Sequence, residues 1–208
     1  MKEQISKFHM ATPLVSMLGV AVLVLAGLSG VYVLLRDAKK DHMELVAALS
    51  KNSQEVTLLK TIDDRVKAPM ETKVLMSRTI LTLSTLKRIP IDVICGIIEI
   101  ESGWKTDAVS SAGAVGIMQI MPSTGKAYLR SERIDPTKQA LLDPVNNIIC
   151  GIGVLADYHD QSVDFKQEKP NEYGVALAMY NQGPRASKPT SYSKDVLEAA
   201  KKYRALGL

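Results

Sequence analysis

Ile98-Glu99-Ile100-Glu101-Ser102-Gly103-Trp104, then after a polar turn Gly113-Ala114-Val115-Gly116-Ile117-Met118-Gln119-Ile120-Met121-Pro122-Ser123-Thr124, is the stretch on which the reading of this chain turns. The first part predicts a helix over about 92–101, with Asp92, just after Pro90, as its N-cap. Val93, Ile94, Ile97, Ile98 and Ile100 make that helix almost wholly apolar, which places it inside a core. Glu101 shares a face with Ile94, Ile97 and Ile98, whereas Glu99 lies about 200° round the helix, over Cys95 and Gly96. Burial disfavours an ionised carboxylate and raises its pKa, which suits a general acid near neutral pH. A snorkelling or salt-bridged glutamate fits the same position, so the stretch alone is compatible with both roles.

Outward from this helix the pattern is helix after helix. Residues 71–88 carry Val74, Leu75, Ile80, Leu81, Leu83 and Leu86 at helical spacing. Downstream, Pro122 suits a first turn and predicts a helix to about Leu129, followed by a polar loop around Asp135-Pro136. Asp143 is placed to cap a helix that begins at Pro144 and runs to about Tyr158, with 162–170 as polar loop. Helices are also expected over Glu172 to Asn181, closed by Gly183-Pro184, and over about Tyr192 to Arg204. No segment alternates as a strand, so the fold class is mostly α.

Upstream the composition changes. Residues 36–69 are polar and helix-prone. Leu45, Leu49, Val56, Leu59 and Val66 approximate a heptad seam, read either as a short stalk or as an amphipathic helix or spacer. Ala11 to Leu35 holds no charged residue and would cover about 37 Å as a helix, enough to span a bilayer core. It is expected to be an uncleaved transmembrane anchor behind a short tail, residues 1–10. Lys2 and Lys7 on one flank balance Arg36, Lys39 and Lys40 on the other, so loop charge does not choose its orientation. The expected organisation is therefore a tail (1–10), a membrane helix (11–35), a helical spacer (36–69) and a catalytic domain (70–208).

Charge excludes some functions. The 208 residues carry 26 Lys+Arg against 22 Asp+Glu, a net charge of +4. Residues 70–208 hold 17 Lys+Arg against 15 Asp+Glu, with no basic stripe of the kind that binds nucleic acid. His9, His42 and His159 are scattered and form no metal-ligand spacing. Cys95 and Cys150 both fall in apolar helical contexts. They are either a disulfide, if the compartment is oxidising, or two small buried hydrophobes.

Three pieces carry chemistry. The first is Glu101. The second is the small-residue run Ser110-Ser111-Ala112-Gly113-Ala114-Val115-Gly116 leading to Met118 and Gln119, which lets backbone approach a ligand closely. The third is Ala178-Met179-Tyr180-Asn181-Gln182-Gly183, a helix end bordering a glycine break. Together and in this order they resemble the Slt-type lytic transglycosylases, the peptidoglycan-cleaving relatives of goose-type lysozyme. Asp143-Pro144-Val145-Asn146-Asn147-Ile148 with Gly151, and Tyr192 with Val196, add to the resemblance, which covers roughly Met70 to Arg204.

The resemblance implies a lysozyme-like helical catalytic domain, without a cofactor, acting on peptidoglycan glycan strands. It would cleave the β-1,4 bond between N-acetylmuramic acid and N-acetylglucosamine and leave 1,6-anhydromuramyl ends. Glu101 would serve as acid and then base. Ser102 would bond near the glutamate or substrate, and Met118 and Gln119 would line the cleft. Tyr180 would orient Glu101, Asn181 would bind an acetamido group or brace the loop, and Ser110 and Tyr192 are further contacts. Trp104 is expected to pack rather than to stack on sugar. A two-carboxylate glycosidase needs a second Asp or Glu across the cleft, and the sequence offers no obvious one. The expected setting is a single-pass membrane protein, held in the bilayer through 11–35, with its catalytic domain facing the periplasm or cell wall. It would work within an envelope-spanning assembly or a virion membrane. A muramidase that uses water, or a wall-binding structural subunit, are the alternatives.

Overall fold

The computed structural model describes residues 53–135, 137–164 and 173–208, and all that follows concerns these residues. The tail, the expected membrane helix 11–35 and the first part of the spacer, with Leu45 and Leu49, lie outside them. Among the described residues no helix is long and apolar enough to cross a membrane.

The helices are α1 (53–65), α2 (Met70–Lys87), α3 (Ile91–Ser102), α4 (Pro122–Ser131), α5 (Lys138–Leu142), α6 (Pro144–Asp164), α7 (Gly174–Gln182) and α8 (Ser191–Ala205). Strand structure among the described residues is limited to two isolated bridges, Val109–Val115 and Val115–Ile120. The mostly helical expectation holds. α5 was expected to be loop, and α6 continues to Asp164, past its expected end near Tyr158.

α3 is the axis. Val93, Ile94, Cys95, Ile97 and Ile98 are all buried, as an apolar helix requires. α8 lies along it at close range: a Cβ on Gly96 would stand 2.6 Å from the Val196 carbonyl oxygen, so only glycine admits this approach. The other long helix, α6, packs against α2, α4, α5 and α7. Its N-terminus is capped as expected, the Asp143 Oδ1 accepting from the Val145 and Asn146 N–H groups at 3.0 and 2.9 Å.

One sequence expectation, the cap of α3, is corrected, and the readings left open for the spacer and the two cysteines are narrowed. Asp92 is not the cap of α3, which starts after Pro90. Its buried carboxylate instead receives Arg204 of α8, Nη2 at 2.6 Å and Nε at 2.7 Å, and so ties the two helices. The end of the expected spacer packs into the core. One compact unit spans Asn52–Leu208 because Leu58, Ile62 and Val66 enter the core. The buried seam of α1 is thus Leu58-Ile62-Val66 rather than the heptad set, and Val56 is 60% exposed. Finally, Cys95 and Cys150 are both free and buried, on α3 and α6 respectively. Burial pushes the Cys150 thiol up to about 11 and raises Cys95 further, so both are neutral hydrophobes.

Candidate active site

Glu101 closes the last turn of α3. Gly103 ends the helix in a left-handed conformation (φ 56°), its N–H donating to the Glu99 carbonyl at 3.0 Å, and Trp104 follows at φ 69°. This doubled left-handed turn sends the Trp104 ring back into the core, where it is 1% exposed. Its Nε1–H points at the Glu99 Oε2 (2.9 Å) and the Tyr203 hydroxyl oxygen (2.8 Å). Glu99 Oε2 also accepts from Tyr203 OH and Arg65 Nη1, both at 2.6 Å. Glu99 is therefore a structural acceptor joining α1, α3 and α8, and Trp104 packs as expected.

Glu101 faces the other way and keeps its own environment. The Tyr192 hydroxyl, on the first turn of α8, donates to its Oε1 at 2.5 Å. Burial raises the carboxyl above the ordinary carboxylate range, and the Tyr192 hydrogen bond partly opposes that rise. These are the two influences on its proton among the described residues; no second carboxylate acts on it. Tyr192 is itself held as a neutral phenol, its pKa raised by burial and by the Glu101 charge. Oε1 is thus occupied as an acceptor, and Oε2 has no hydrogen bond among the described residues.

A loop braced by hydrogen bonds runs from Trp104 to Met121 after α3. Ser110 N–H donates to Ala114 O (2.9 Å) and the Ser110 Oγ accepts from Ala114 N–H (3.0 Å), closing a turn in which Gly113 takes φ 90°. Gly116 takes φ 81°, and a Cβ there would fall 2.2 Å from the Asn147 Nδ2. Asn147, fully buried on α6, donates to Val115 O (2.9 Å) and Leu141 O (2.8 Å) and accepts from Met118 N–H (2.8 Å). Gln119 sits at φ 50°, a costly conformation for a non-glycine residue. Its Nε2 offsets that cost by donating to Gly116 O (2.9 Å) and Ala108 O (3.2 Å). Ser102 Oγ donates to Ile117 O (2.7 Å), pinning the loop to the residue beside Glu101. Tyr180 OH, from α7, donates to Met118 O (2.9 Å).

The structure thus brings Glu101, Ser102, Met118, Tyr180 and Tyr192 together but redistributes their roles. Tyr192, not Tyr180, is bonded to Glu101. Tyr180 is half-buried, and desolvation and then the Glu101 charge raise its pKa, yet its hydroxyl holds the loop. Met118 was expected to line the cleft. Its side chain is fully buried, its sulfur 2.5 Å from where a Cβ on Gly151 would stand, so it contributes its carbonyl instead. Ser102 and Ser110 act on backbone, and the Gln119 amide nitrogen is spent on two carbonyls. Asn181 is exposed at the end of α7. Sequence reading missed the part of Asn147, although an asparagine just inside a capped helix, opposite a Gly-x-x-Gly run, was a usable signal. No group of three or more His, Cys, Asp or Glu among the described residues is arranged to hold a metal ion.

A family model for the transglycosylase SLT domain matches residues 79–202. The chain belongs to the transglycosylase SLT domain family. This SLT domain is similar to the membrane-bound lytic murein transglycosylase C of Histophilus somni (strain 2336), 31% identical over 97 residues that cover 45% of this chain and 27% of the relative. It is 32% identical to the protein of the same name from Haemophilus ducreyi over 97 residues, 45% of this chain and 26% of that one. Two solved structures share the fold. The 70 kDa soluble lytic transglycosylase Slt70 of Escherichia coli matches with a TM-score of 0.51 at 27% identity over 64% of this chain and 26% of that one. An inactive mutant of the lytic transglycosylase Slt of Pseudomonas aeruginosa gives 0.50 at 26% identity, over 62% and 24%. The chain spans about a quarter of the length of the relatives it matches, and its SLT domain is the shared part.

Proposed function

We propose that this protein is a peptidoglycan lytic transglycosylase that cleaves the β-1,4 bond between N-acetylmuramic acid and N-acetylglucosamine, leaving 1,6-anhydromuramyl ends. The observation that carries the reading is Glu101 itself. It is a desolvated carboxyl whose proton is governed by burial and one tyrosine hydroxyl, with no partner carboxylate acting on it among the described residues. A retaining or water-activating pair is the usual glycosidase arrangement. A lone acid suits a reaction in which the substrate supplies the nucleophile.

In this reaction Glu101 Oε2 gives its proton to the glycosidic oxygen as the bond to the muramyl anomeric carbon breaks. The resulting carboxylate, steadied by Tyr192, then takes the proton of the muramyl C6 hydroxyl while that oxygen bonds to the anomeric carbon. The glutamate ends as it began, and no water is consumed. Ser102, Tyr180, Gln119 and Asn147 act by holding the loop at residues 104–121, and we assign exposed Asn181 to an acetamido group.

The named relatives are membrane-bound lytic murein transglycosylases, and the charge-free run 11–35 supports anchoring of this chain with the SLT domain on the wall side. Local opening of the wall for an envelope-spanning or virion assembly is the setting such an anchored enzyme suits. The test is digestion of purified sacculi by the full-length protein in detergent, with products weighed by mass spectrometry. Anhydromuramyl ends, absent with Glu101→Gln, are expected. Reducing ends would make it a muramidase instead, and binding without any product would make it a structural wall protein.

A further inference from the structure

We propose that Arg65, the last residue of α1, is a positioning residue for Glu101: by holding Glu99 it fixes the turn that closes α3 and so sets the place of the Glu101 carboxyl. The proposal rests on the reading of Glu101 as acid and base. Glu99 and Glu101 both fall in the last turn of α3, which holds no basic residue. A helix C-terminus carries partial negative charge and disfavours carboxylates. For Glu99 the compensating cation comes from another helix. Arg65 Nη1 reaches its Oε2 at 2.6 Å, and among the described residues Arg65 is the one cation paired with Glu99. The same oxygen accepts from Trp104 Nε1–H at 2.9 Å and from Tyr203 OH at 2.6 Å. The Arg65 guanidinium also stands over the Tyr203 ring, 5.8 Å from its centre, and that ring lies 6.0 Å from the Trp104 ring.

What this cluster holds is a strained piece of backbone. Trp104 takes φ 69° directly after Gly103 at φ 56°, a costly conformation for a residue with a side chain. Its buried ring and the Nε1 bonds to Glu99 and Tyr203 keep it there. The turn begins two residues after Glu101, next to Ser102, whose Oγ bonds the Ile117 carbonyl. Were Glu99 to swing out to water, Trp104 would lose an acceptor, the doubled left-handed turn could relax, and the last turn of α3 would loosen with it. An isolated exposed ion pair is worth little. Arg65, half-exposed, instead closes a set of three bonds on one oxygen, which reinforce one another. Arg65 and Tyr203 both lie outside the residues 79–202 matched by the family model. The segments on either side of the matched stretch thus meet at the turn beside Glu101.

The experiment uses full-length protein in detergent and compares wild type, Arg65→Ala and Arg65→Ala/Glu99→Gln. Arg204→Ala is the control: it breaks the tie to Asp92 at the other end of α3, about 14 Å along the helix from Glu101. On sacculi, Arg65→Ala should lower kcat about tenfold with KM within about twofold of wild type. An amide at position 99 removes the charge that needs Arg65 and keeps an oxygen for Trp104 and Tyr203. The double variant should therefore regain most of the lost kcat. Arg204→Ala should lose stability and keep kcat. Full kcat in Arg65→Ala, no recovery in the double variant, or an equal fall in Arg204→Ala overturns the proposal. A second measurement needs no turnover. Glu101→Gln should raise Tm at pH 8, because it removes a carboxylate that burial disfavours. In the Arg65→Ala background that gain should shrink by about half or more, since a loosened last turn hydrates the carboxyl; in the Arg204→Ala background it should persist. Loss of the Arg65 charge alone would act in the opposite direction and enlarge the gain. An unchanged or enlarged gain overturns the proposal, whereas absence of lysis by wild type counts against the assigned reaction and not against the hold of Arg65 on Glu101.

Discussion

Asn147→Ala removes a side chain that ties the loop opposite Glu101 to α6. Three hydrogen bonds go, but their loss is not equal. The Val115 carbonyl keeps the Ile120 N–H at 2.9 Å. The Met118 N–H and the Leu141 carbonyl are left in a fully buried setting. Each stranded group costs about 1–3 kcal/mol, and water entering the vacated space returns part of that, so a net loss of about 2–3 kcal/mol is expected. For a unit of this size that is a fall in Tm of roughly 5–10 °C. Activity should drop further than stability, because the Met118 carbonyl that holds Tyr180 moves with the loop. A displacement of about 1 Å near reacting groups can cost two orders of magnitude. Thermal unfolding and sacculus lysis read the two effects separately. Asn147→Asp sharpens the test: it still accepts from Met118 N–H but turns a carboxylate toward two carbonyls. It should therefore be worse at pH 8 than at pH 4, where a protonated carboxyl regains one donor. A Tm within 1 °C of wild type with full lysis would refute the role given to this residue.

Other expectations concern the acid and its supports. Burial raises the folded-state pKa of Glu101, so its ionisation destabilises the fold as pH rises through the interval between the unfolded and folded values. Glu101→Gln should then melt higher than wild type at pH 8 and converge with it at pH 4, while losing lysis at both. Tyr192→Phe removes the bond that favours the carboxylate; the alkaline limb of the pH–activity profile should move upward and kcat fall roughly tenfold to a hundredfold. An unmoved limb would separate Tyr192 from the proton. Gly96→Ala drives a Cβ toward the Val196 carbonyl and should cost about 1–3 kcal/mol in denaturant unfolding; wild-type stability would show that α3 and α8 can part cheaply.

The helices were legible because their signals are local. The apolar run of α3, Pro122 at the start of α4 and the Asp143 cap each declare themselves within a turn. Glu101 was legible as an oddity of its helix, and the ordered motifs pointed to the SLT family. Partner choice was not legible. Whether Tyr180 or Tyr192 reaches Glu101 depends on how α8 crosses α3, set in part by Gly96 and by the Asp92–Arg204 pair, 112 positions apart, and on how α7 packs on α6 and α8. Met118 reads as an adaptable contact surface, but the missing side chain at Gly151 draws it inward. α5 is five residues long, too short for periodicity to register. In α1 the sparse apolar residues fit two registers, and only the core they enter selects Leu58, Ile62 and Val66 over the heptad set.

That selection bears on how the protein can be taken apart. Leu58, Ile62 and Val66 fill the core from the N-terminal side, and Arg65 reaches Glu99 two residues ahead of Glu101. An excised fragment beginning at Met70 would open a cavity under α3 and strip a cation from its last turn. Any chimera that keeps the SLT domain must be spliced ahead of Asn52, so that α1 travels with the core it fills.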